Sequence, residues 1–479
     1  MSIALLTAPF HPLCSTVEKV NQHDVVICGD GGSAVALAHA LAKSARSNTS
    51  VAILGRGQRA GLGTAYSTQH PLHLLNAPAG RMSADADDPD QFARWLSARG
   101  HSLARWQDQF VARRLYGEYL GHLADEVGAT SHGRIALETI RTEVGGVARN
   151  GAGSIVSHTG GTLAARIVVL ATGTDKPAAI AQSFGEDVAP FVVDDPWGNF
   201  EIGPGESVLM LGAGLTAIDA LLTLVSRGHR GRVTLVSRHG LLPHVHVRGD
   251  VCESLQSPYP PTARQLARAI RTCVGAQASD GRRQGFMEAM RSCWQDVWQS
   301  LPREEKRRCL RHGATLWNVN RHRMAPGVGA RVLPLIGDTV TVLAGRLLRI
   351  SLSDARTLHV DVSRRNGEIR LAVNRVINCT GPNPDPEKTR DRFIRTIVES
   401  RLGRSNSLGV GLDVDDANRL IARDGTAQRT AFAMGALTKG HWWEITAMPE
   451  IGRQAAGIAT NILRELAGSG DPSGSTKRL

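Results

Sequence analysis

Short apolar runs ending in small residues punctuate this chain: Val25–Cys28, Val51–Leu54, Ile167–Leu170, Val208–Leu211 and Val233–Val236. Runs of four or so without alternation predict strands covered on both faces, as in a parallel sheet. Between them lie stretches of helical period: Ala34 to Ala42, Asp85 to Arg99 with Phe92, Trp95 and Leu96 on one face, Arg113 to Glu126, and Asp219 to Val225. Residues 135–170 instead read as strands joined by hairpin turns at Gly145-Gly146, Asn150-Gly151 and Gly160-Gly161. Residues 260–325 return to a helical, Arg-rich pattern in which Trp294, Trp298 and Trp317 fall at apolar positions, the signature of helices packed on one another. Strands resume from Val340 to Val373 and at Arg375–Asn378, and a last helix is predicted from Pro449 to about Leu466. Residues 1–22 carry no strong pattern, and the Gly, Ser, Lys and Arg after Gly468 predict a disordered tail at 471–479.

Strand alternating with helix gives an α/β fold class, and two of the junctions repeat one design. Asp24–Cys28 runs into Gly29-Asp30-Gly31-Gly32-Ser33-Ala34, and Val208–Leu211 into Gly212-Ala213-Gly214-Leu215-Thr216-Ala217. Each is G-x-G-x-x-A between a strand and a helix, the first helix, Ala34 to Ala42, being rich in small residues. One glycine permits the tight turn, a second lets backbone approach a pyrophosphate at the helix N-terminus, and the small third residue keeps helix close to sheet. The strand that follows each turn ends differently. Val51–Leu54 ends in Gly55-Arg56, without the acid that usually meets an adenosine ribose, so the acceptor is missing or supplied elsewhere and a phosphate of NADP stays open as a ligand. Val233–Val236 ends in Ser237-Arg238-His239-Gly240, donors that suit a 2′-phosphate, so this second site reads as NADPH rather than NADH. Two further strands run into Ala171-Thr172-Gly173 and Cys379-Thr380-Gly381, small endings that let a strand approach a bound dinucleotide. The loops Gly61–Ser67 and His73–Ser83, with Asn76, Met82 and Ser83, offer backbone N–H groups and an amide beyond the first turn.

Composition narrows the classes. At 479 residues the chain exceeds one core, and its 42% hydrophobic content is that of a globular protein. The formal charge of +12 is dispersed surface arginine with a local excess at Arg303 to Arg323, which suits anionic cofactors and does not require nucleic acid. The seven cysteines include no C-x-x-C or other close pair, which argues against a metal site or an adjacent redox dithiol and fits a reducing, cytoplasmic setting. No run approaches a membrane span.

Together the two turns and two Thr-Gly endings resemble the two-dinucleotide-binding-domain flavoproteins. More narrowly, "GLGTAYSTQHPLHLLNAPAGRMS", "WNVNRHRMAP" and "KGHWWEITAMPEIGRQAA" resemble the FAD/NAD(P)-binding protein family, whose bacterial members include nitrosuccinate-forming aspartate N-monooxygenases. The resemblance implies two Rossmann-like domains, an NADPH domain at 196–374 inserted into a discontinuous FAD domain at 1–195 and 375–470, with a helical insertion at about 250–325. It places Gly29, Gly31 and Gly32 at the FAD pyrophosphate and Asn76, Met82 and Ser83 by the isoalloxazine, with Gly435 and the turn Trp443, Glu444, Thr446 across from them. Thr172, Gly173, Thr380 and Gly381 would line the dinucleotides, and Gly212, Gly214, Ser237 and Arg238 would hold NADPH. Loss of the ribose contact at Gly55 would cost FAD about 1–2 kcal/mol.

The expected reaction follows from the cofactors: NADPH reduces FAD, and the reduced flavin with molecular oxygen hydroxylates an amine or amino-acid nitrogen. No protein nucleophile is assigned, and Arg321 or Arg323 would receive a substrate carboxylate. Two alternatives stay open: a flavin reductase passing electrons to a quinone or protein, and a non-catalytic binding protein of the same fold.

Overall fold

The computed structural model describes residues 21–100, 108–130, 134–173, 177, 179–275 and 278–468; the expected tail at 471–479 lies outside them. The continuous apolar runs form two largely parallel sheets. The first contains β1 (Gln22–Cys28), β2 (Thr49–Gly55), β3 (Ile135–Arg141), a hairpin of β4 (Val144–Asn150) and β5 (Gly153–His158), and β6 (Gly161–Leu170). The second contains β7 (Val192–Val193), β8 (Val208–Leu211), β9 (Val233–Ser237), β10 (Val340–Ala344) and, later in the chain, a strand at Arg375–Asn378. An antiparallel meander of β11 (Arg346–Asp354), β12 (Thr357–Arg364) and β13 (Gly367–Val373) precedes that strand, which is β14. The chain then returns to the first sheet with β15 (Arg419–Ile421) and β16 (Ala427–Ala433). The orders are β15-β16-β6-β1-β2-β3 and β10-β9-β8-β14-β7.

Burial on both faces explains the lack of alternation in the sequence. Val25 and Ile27 of β1 face one apolar cluster, and Val26 and Cys28 face the other. The first cluster is completed by α1 (Gly32–Ser44), α2 (Arg113–Thr130) and a helix at the end of the described chain, Met448–Gly468. Ala34 and Ala38 are fully buried in α1, so the helix lies close on the sheet. In the second unit α3 (Leu215–Ser226) covers β8 and β9 in the same way; the terminal helix Met448–Gly468 is α4.

Every strand of the second sheet lies between β6 and β15 in the chain, and the edges of that unit differ from the expected ones. β7 and β14 pair with each other, and β14 pairs in parallel with β8, so 192–193 and 375–378 belong to the second sheet. Boundaries at 196 and 375 therefore fall one strand inside the second unit. The reason is tertiary: Val376 and Ile377 are fully buried and complete the sheet beside β8, a pairing no local pattern specifies. The Thr380-Gly381 ending accordingly serves the second turn. The region from 250 to 325 folds into helices at Ala263–Val274, Asp280–Ala289, Trp294–Ser300, Arg303–His312 and Ala314–Arg321. Its tryptophans are core, as the pattern predicts: Trp294 stacks on Trp317 at 3.9 Å and Trp298 on Trp443 at 5.0 Å.

Candidate active site

The first turn is built around a glycine that no other residue can replace. Gly29 has φ +123°, and a Cβ there would lie 2.3 Å from the carbonyl oxygen of Ala171 at the end of β6. The close approach is held by backbone hydrogen bonds from Gly29 N–H to Leu54 O at 2.7 Å and from Ala171 N–H to Cys28 O at 2.8 Å. Gly31 then caps α1 in extended conformation (φ −80°, ψ −173°), with no side chain satisfying the first turn of the helix. Such an end is a ready anion site, because unpaired N–H groups and the helix dipole point the same way. Gly173, at φ +77°, has nothing within 4 Å of where a Cβ would stand, so the strand end beside the turn is open. Gly435 comes in from the far end of the chain with φ +63°. A Cβ there would lie 2.8 Å from Ser33 Oγ, and its N–H donates to Gln454 Oε1 at 2.7 Å. Gly29, Gly31, Gly32, Thr172, Gly173 and Gly435 thus converge on one place.

The end of β2, where the sequence lacks an acid, holds a carboxylate after all. Asp30, inside the turn, accepts a hydrogen bond from Gly57 N–H at 2.5 Å. A Cβ at Gly55 would lie 2.1 Å from Asp30 Cγ, and one at Gly57 would lie 2.6 Å from its Oδ2. The two glycines are the cradle for this side chain. Sequence reasoning missed it; the signal was an acid at the second position of the turn with Gly-x-Gly at the next strand's end.

The second turn repeats the geometry. Gly212 has φ +113°, and a Cβ there would lie 2.2 Å from Cys379 O, the residue before Thr380-Gly381. Gly214 caps α3 at φ −85°, ψ −172°, again with no side-chain cap and with open space beyond it. Gly381 is at φ +83° with nothing within 4 Å. Thr380 Oγ1 donates to Asn378 Oδ1 at 2.7 Å, which fixes that strand ending. At the end of β9, Ser237 Oγ accepts from Gly240 N–H at 3.1 Å. Arg238 beside it is exposed.

The loop carrying Asn76 is pinned between the two turns. Arg113 at the start of α2 pairs with Asp219 of α3 at 2.7 Å and donates to Leu74 O at 3.0 Å. His73 Nε2–H donates to Asp219 O at 3.1 Å, and His246 Nε2–H donates to Asn76 O at 2.9 Å. Burial lowers both histidines: His73 is pushed down to about 4, and His246 is lowered, the bond to Asn76 opposing. Burial pushes Asp219 up to about 6, outweighing the attraction of Arg113.

Other expected site residues have different occupations. Met82 is buried in the first core, and Ser83 Oγ lies 2.6 Å from Asp88 O, ordering its own turn. Trp443 faces the helical insertion rather than the first turn, because its ring stacks on Trp298. Glu444 accepts from Trp317 Nε1 at 2.6 Å and from Arg321 Nε at 2.9 Å; Thr446 is exposed. Arg323 is 1% exposed, and its Nε and Nη1 donate to the carbonyls of Asn320 and Val245, while its buried Nη2 has no partner among the described residues. Arg321 lines a cavity of about 20 Å³, together with Arg291, Trp294, Glu444, Glu450 and Arg453. That is room for a water-sized group. Among the described residues there is no cluster of three metal-ligating side chains and no helix long and apolar enough to cross a membrane.

Residues 26–175, which span the first turn, β2, Asn76 and Gly173, match the family model described as FAD-NAD(P)-binding. No curated protein matches by sequence. Among solved structures the chain is similar to the cadaverine monooxygenase of the desferrioxamine pathway from Erwinia amylovora (TM-score 0.62, 15% identity, 92% of this chain and 94% of that one). It is similar to L-lysine 6-monooxygenase from Pseudomonas syringae (TM-score 0.61, 18% identity, 93% and 100%). It is also similar to the bacillithiol disulfide reductase from Bacillus cereus (TM-score 0.52, 16% identity, 93% and 99%). At these identities the likeness is one of fold. The chain thus has the two-dinucleotide fold of these hydroxylases and reductases, and its residues 26–175 match a model described as FAD-NAD(P)-binding.

Proposed function

We propose that this chain, with residues 26–175 as its FAD-NAD(P)-binding domain, is an NADPH-dependent flavin monooxygenase that hydroxylates the nitrogen of an amine or amino acid. The observation that carries the reading is the pair of uncapped glycine turns, each facing an open Thr-Gly strand end, in one chain. Two pyrophosphate cradles joined by a shared loop suit a donor dinucleotide and a flavin held at the same time. The residues present fit both groups: a side chain at Gly29 or Gly212 would collide with backbone where a dinucleotide must come close.

When bound, the flavin supplies the hydride and oxygen chemistry. The chain's own part is positioning. Gly29, Gly31 and Gly32 hold the FAD pyrophosphate, and Thr172, Gly173 and Gly435 flank it. Asn76, fixed through its carbonyl by His246, offers a side-chain amide between the two units. Gly212, Gly214, Thr380 and Gly381 hold NADPH, with Ser237 and Arg238 at its 2′-phosphate. The cavity at Arg321, between the insertion and α4, admits only a water-sized group, and Arg321 is paired with Glu444 at 2.9 Å, so it is assigned no substrate carboxylate. The scattered cysteines suit a reducing cytoplasm.

The test is spectroscopic first. FAD-loaded protein should bleach under NADPH without oxygen and regain its bands in air. NADPH consumption with a panel of amino acids and diamines should then yield a hydroxylamine by mass spectrometry. Peroxide as the sole product with every amine would sink the hydroxylation. Because the fold is shared with a disulfide reductase, the second reading is electron transfer to a quinone, disulfide or protein. Fast turnover with such an acceptor and slow reaction with oxygen would favour it.

A further inference from the structure

We infer that Asp30 is the ribose-binding carboxylate of the first site, moved from the end of β2 into the glycine turn, and that it makes this site selective for an adenosine with a free 2′-hydroxyl. The inference rests on reading that site as the FAD site. A dinucleotide cradle of this type needs a carboxylate at the end of its second strand to accept from the ribose hydroxyls. Here that strand ends in Gly55, and the space a side chain would occupy is already filled: a Cβ at Gly55 would lie 2.1 Å from Asp30 Cγ and 2.3 Å from its Oδ2. Gly57, two residues on, is open to the same carboxylate and holds it by a 2.5 Å hydrogen bond from its N–H to Oδ2. The main chain of Asp30 is fixed as well, its carbonyl accepting from Gly61 N–H at 2.7 Å. Acid and strand end have exchanged places, and the two glycines make room for the exchange.

The same placement decides against NADP in the first site. Gly55-Arg56 alone would admit a 2′-phosphate, but a phosphate there would meet the Asp30 carboxylate, and Arg56 is turned to Glu143 at 3.7 Å. The second turn has Ala213 at the position of Asp30, and its strand ends in Ser237-Arg238. One residue in each turn therefore sorts the two dinucleotides.

The experiment measures dissociation constants of the apoprotein for FAD and for its 2′-deoxyadenosine analogue, by flavin fluorescence, in the wild-type protein, Asp30→Asn, Gly55→Ala and Asp30→Ala/Gly55→Asp. Asp30→Asn keeps an oxygen for Gly57 N–H and removes only the charge. It should weaken FAD roughly tenfold or more and leave the deoxy analogue nearly unchanged. Gly55→Ala, whose methyl collides with the carboxylate, should weaken FAD although Asp30 is intact. The double variant, which returns the acid to the strand end, should regain most of the lost affinity. Equal weakening of both ligands in Asp30→Asn, or no rescue in a double variant that melts like the wild-type protein, overturns the assignment of Asp30. Wild-type protein that takes up neither ligand overturns the reading of the site as an FAD site, and is distinguishable because no variant comparison is then needed.

Discussion

The two glycine turns are near copies in backbone and opposites in charge. Gly29 and Gly212 share positive φ values of 123° and 113°, and each lies where a Cβ would strike the carbonyl of the residue before a Thr-Gly ending, Ala171 or Cys379. The caps at Gly31 and Gly214 agree within a few degrees in both angles. Around that common frame the first turn gathers a carboxylate at its strand end and the second an exposed arginine. On the proposed reading, the common frame suits a pyrophosphate, which both dinucleotides contain. On the same reading the charges are free to differ because they would face the ribose, where the dinucleotides differ.

The largest expected effect comes from separating the two turns. Arg113→Met leaves Asp219 of the second turn's helix without its cation and should cost about 3–5 kcal/mol at pH 8. Because burial already pushes Asp219 up to about 6, the carboxyl protonates readily, and the cost should shrink at pH 5. Urea denaturation at the two pH values checks this; an equal loss at both would exclude a charged Asp219 as the cause.

Next, Gly29→Ala and Gly212→Ala each force a side chain onto backbone at a φ that disfavours it, at about 2–4 kcal/mol. They should separate by function. Gly29→Ala should lose flavin uptake, whereas Gly212→Ala should stay yellow but no longer bleach with NADPH. Identical phenotypes would break the assignment of one turn to each cofactor. Arg238→Ala should raise the KM for NADPH about tenfold and leave NADH almost unaffected, as loss of one charge-assisted contact would. Steady-state kinetics with both donors decides it, and equal changes would remove Arg238 from the phosphate.

The smallest effect near neutral pH concerns the loop between the turns. His73 is held down to about 4 from its ordinary 6.5, so the stability it contributes is present above pH 6.5 and is lost as pH falls through 4. Asp219, raised from 3.8 to about 6, works oppositely: its contribution is full below pH 3.8 and is lost as pH rises through 6. Relative to wild-type protein, His73→Asn should therefore gain stability as pH falls from 6.5 to 4, and Asp219→Asn should gain as pH rises from 4 to 6. Parallel difference profiles would contradict the burial of one of the two groups.

What the sequence determined by itself was whatever local chemistry enforces. An unbroken apolar run must be buried on both faces, and a G-x-G-x-x-A turn between strand and helix must bend tightly and leave a helix end uncapped. Both turns and the tryptophan core of the helical segment were legible for that reason. Only the tertiary structure decided what distant segments do to one another. β14 joins β8 rather than the first sheet because their buried faces fit. Trp443 and Glu444 turn to the insertion because Trp298, Trp317 and Arg321 wait there. Arg323 turns its Nε and Nη1 to the carbonyls of Asn320 and Val245. The Asp30 carboxylate reaches the end of β2 across a parallel strand pair, and in the sequence that showed only as a missing acid beside two glycines.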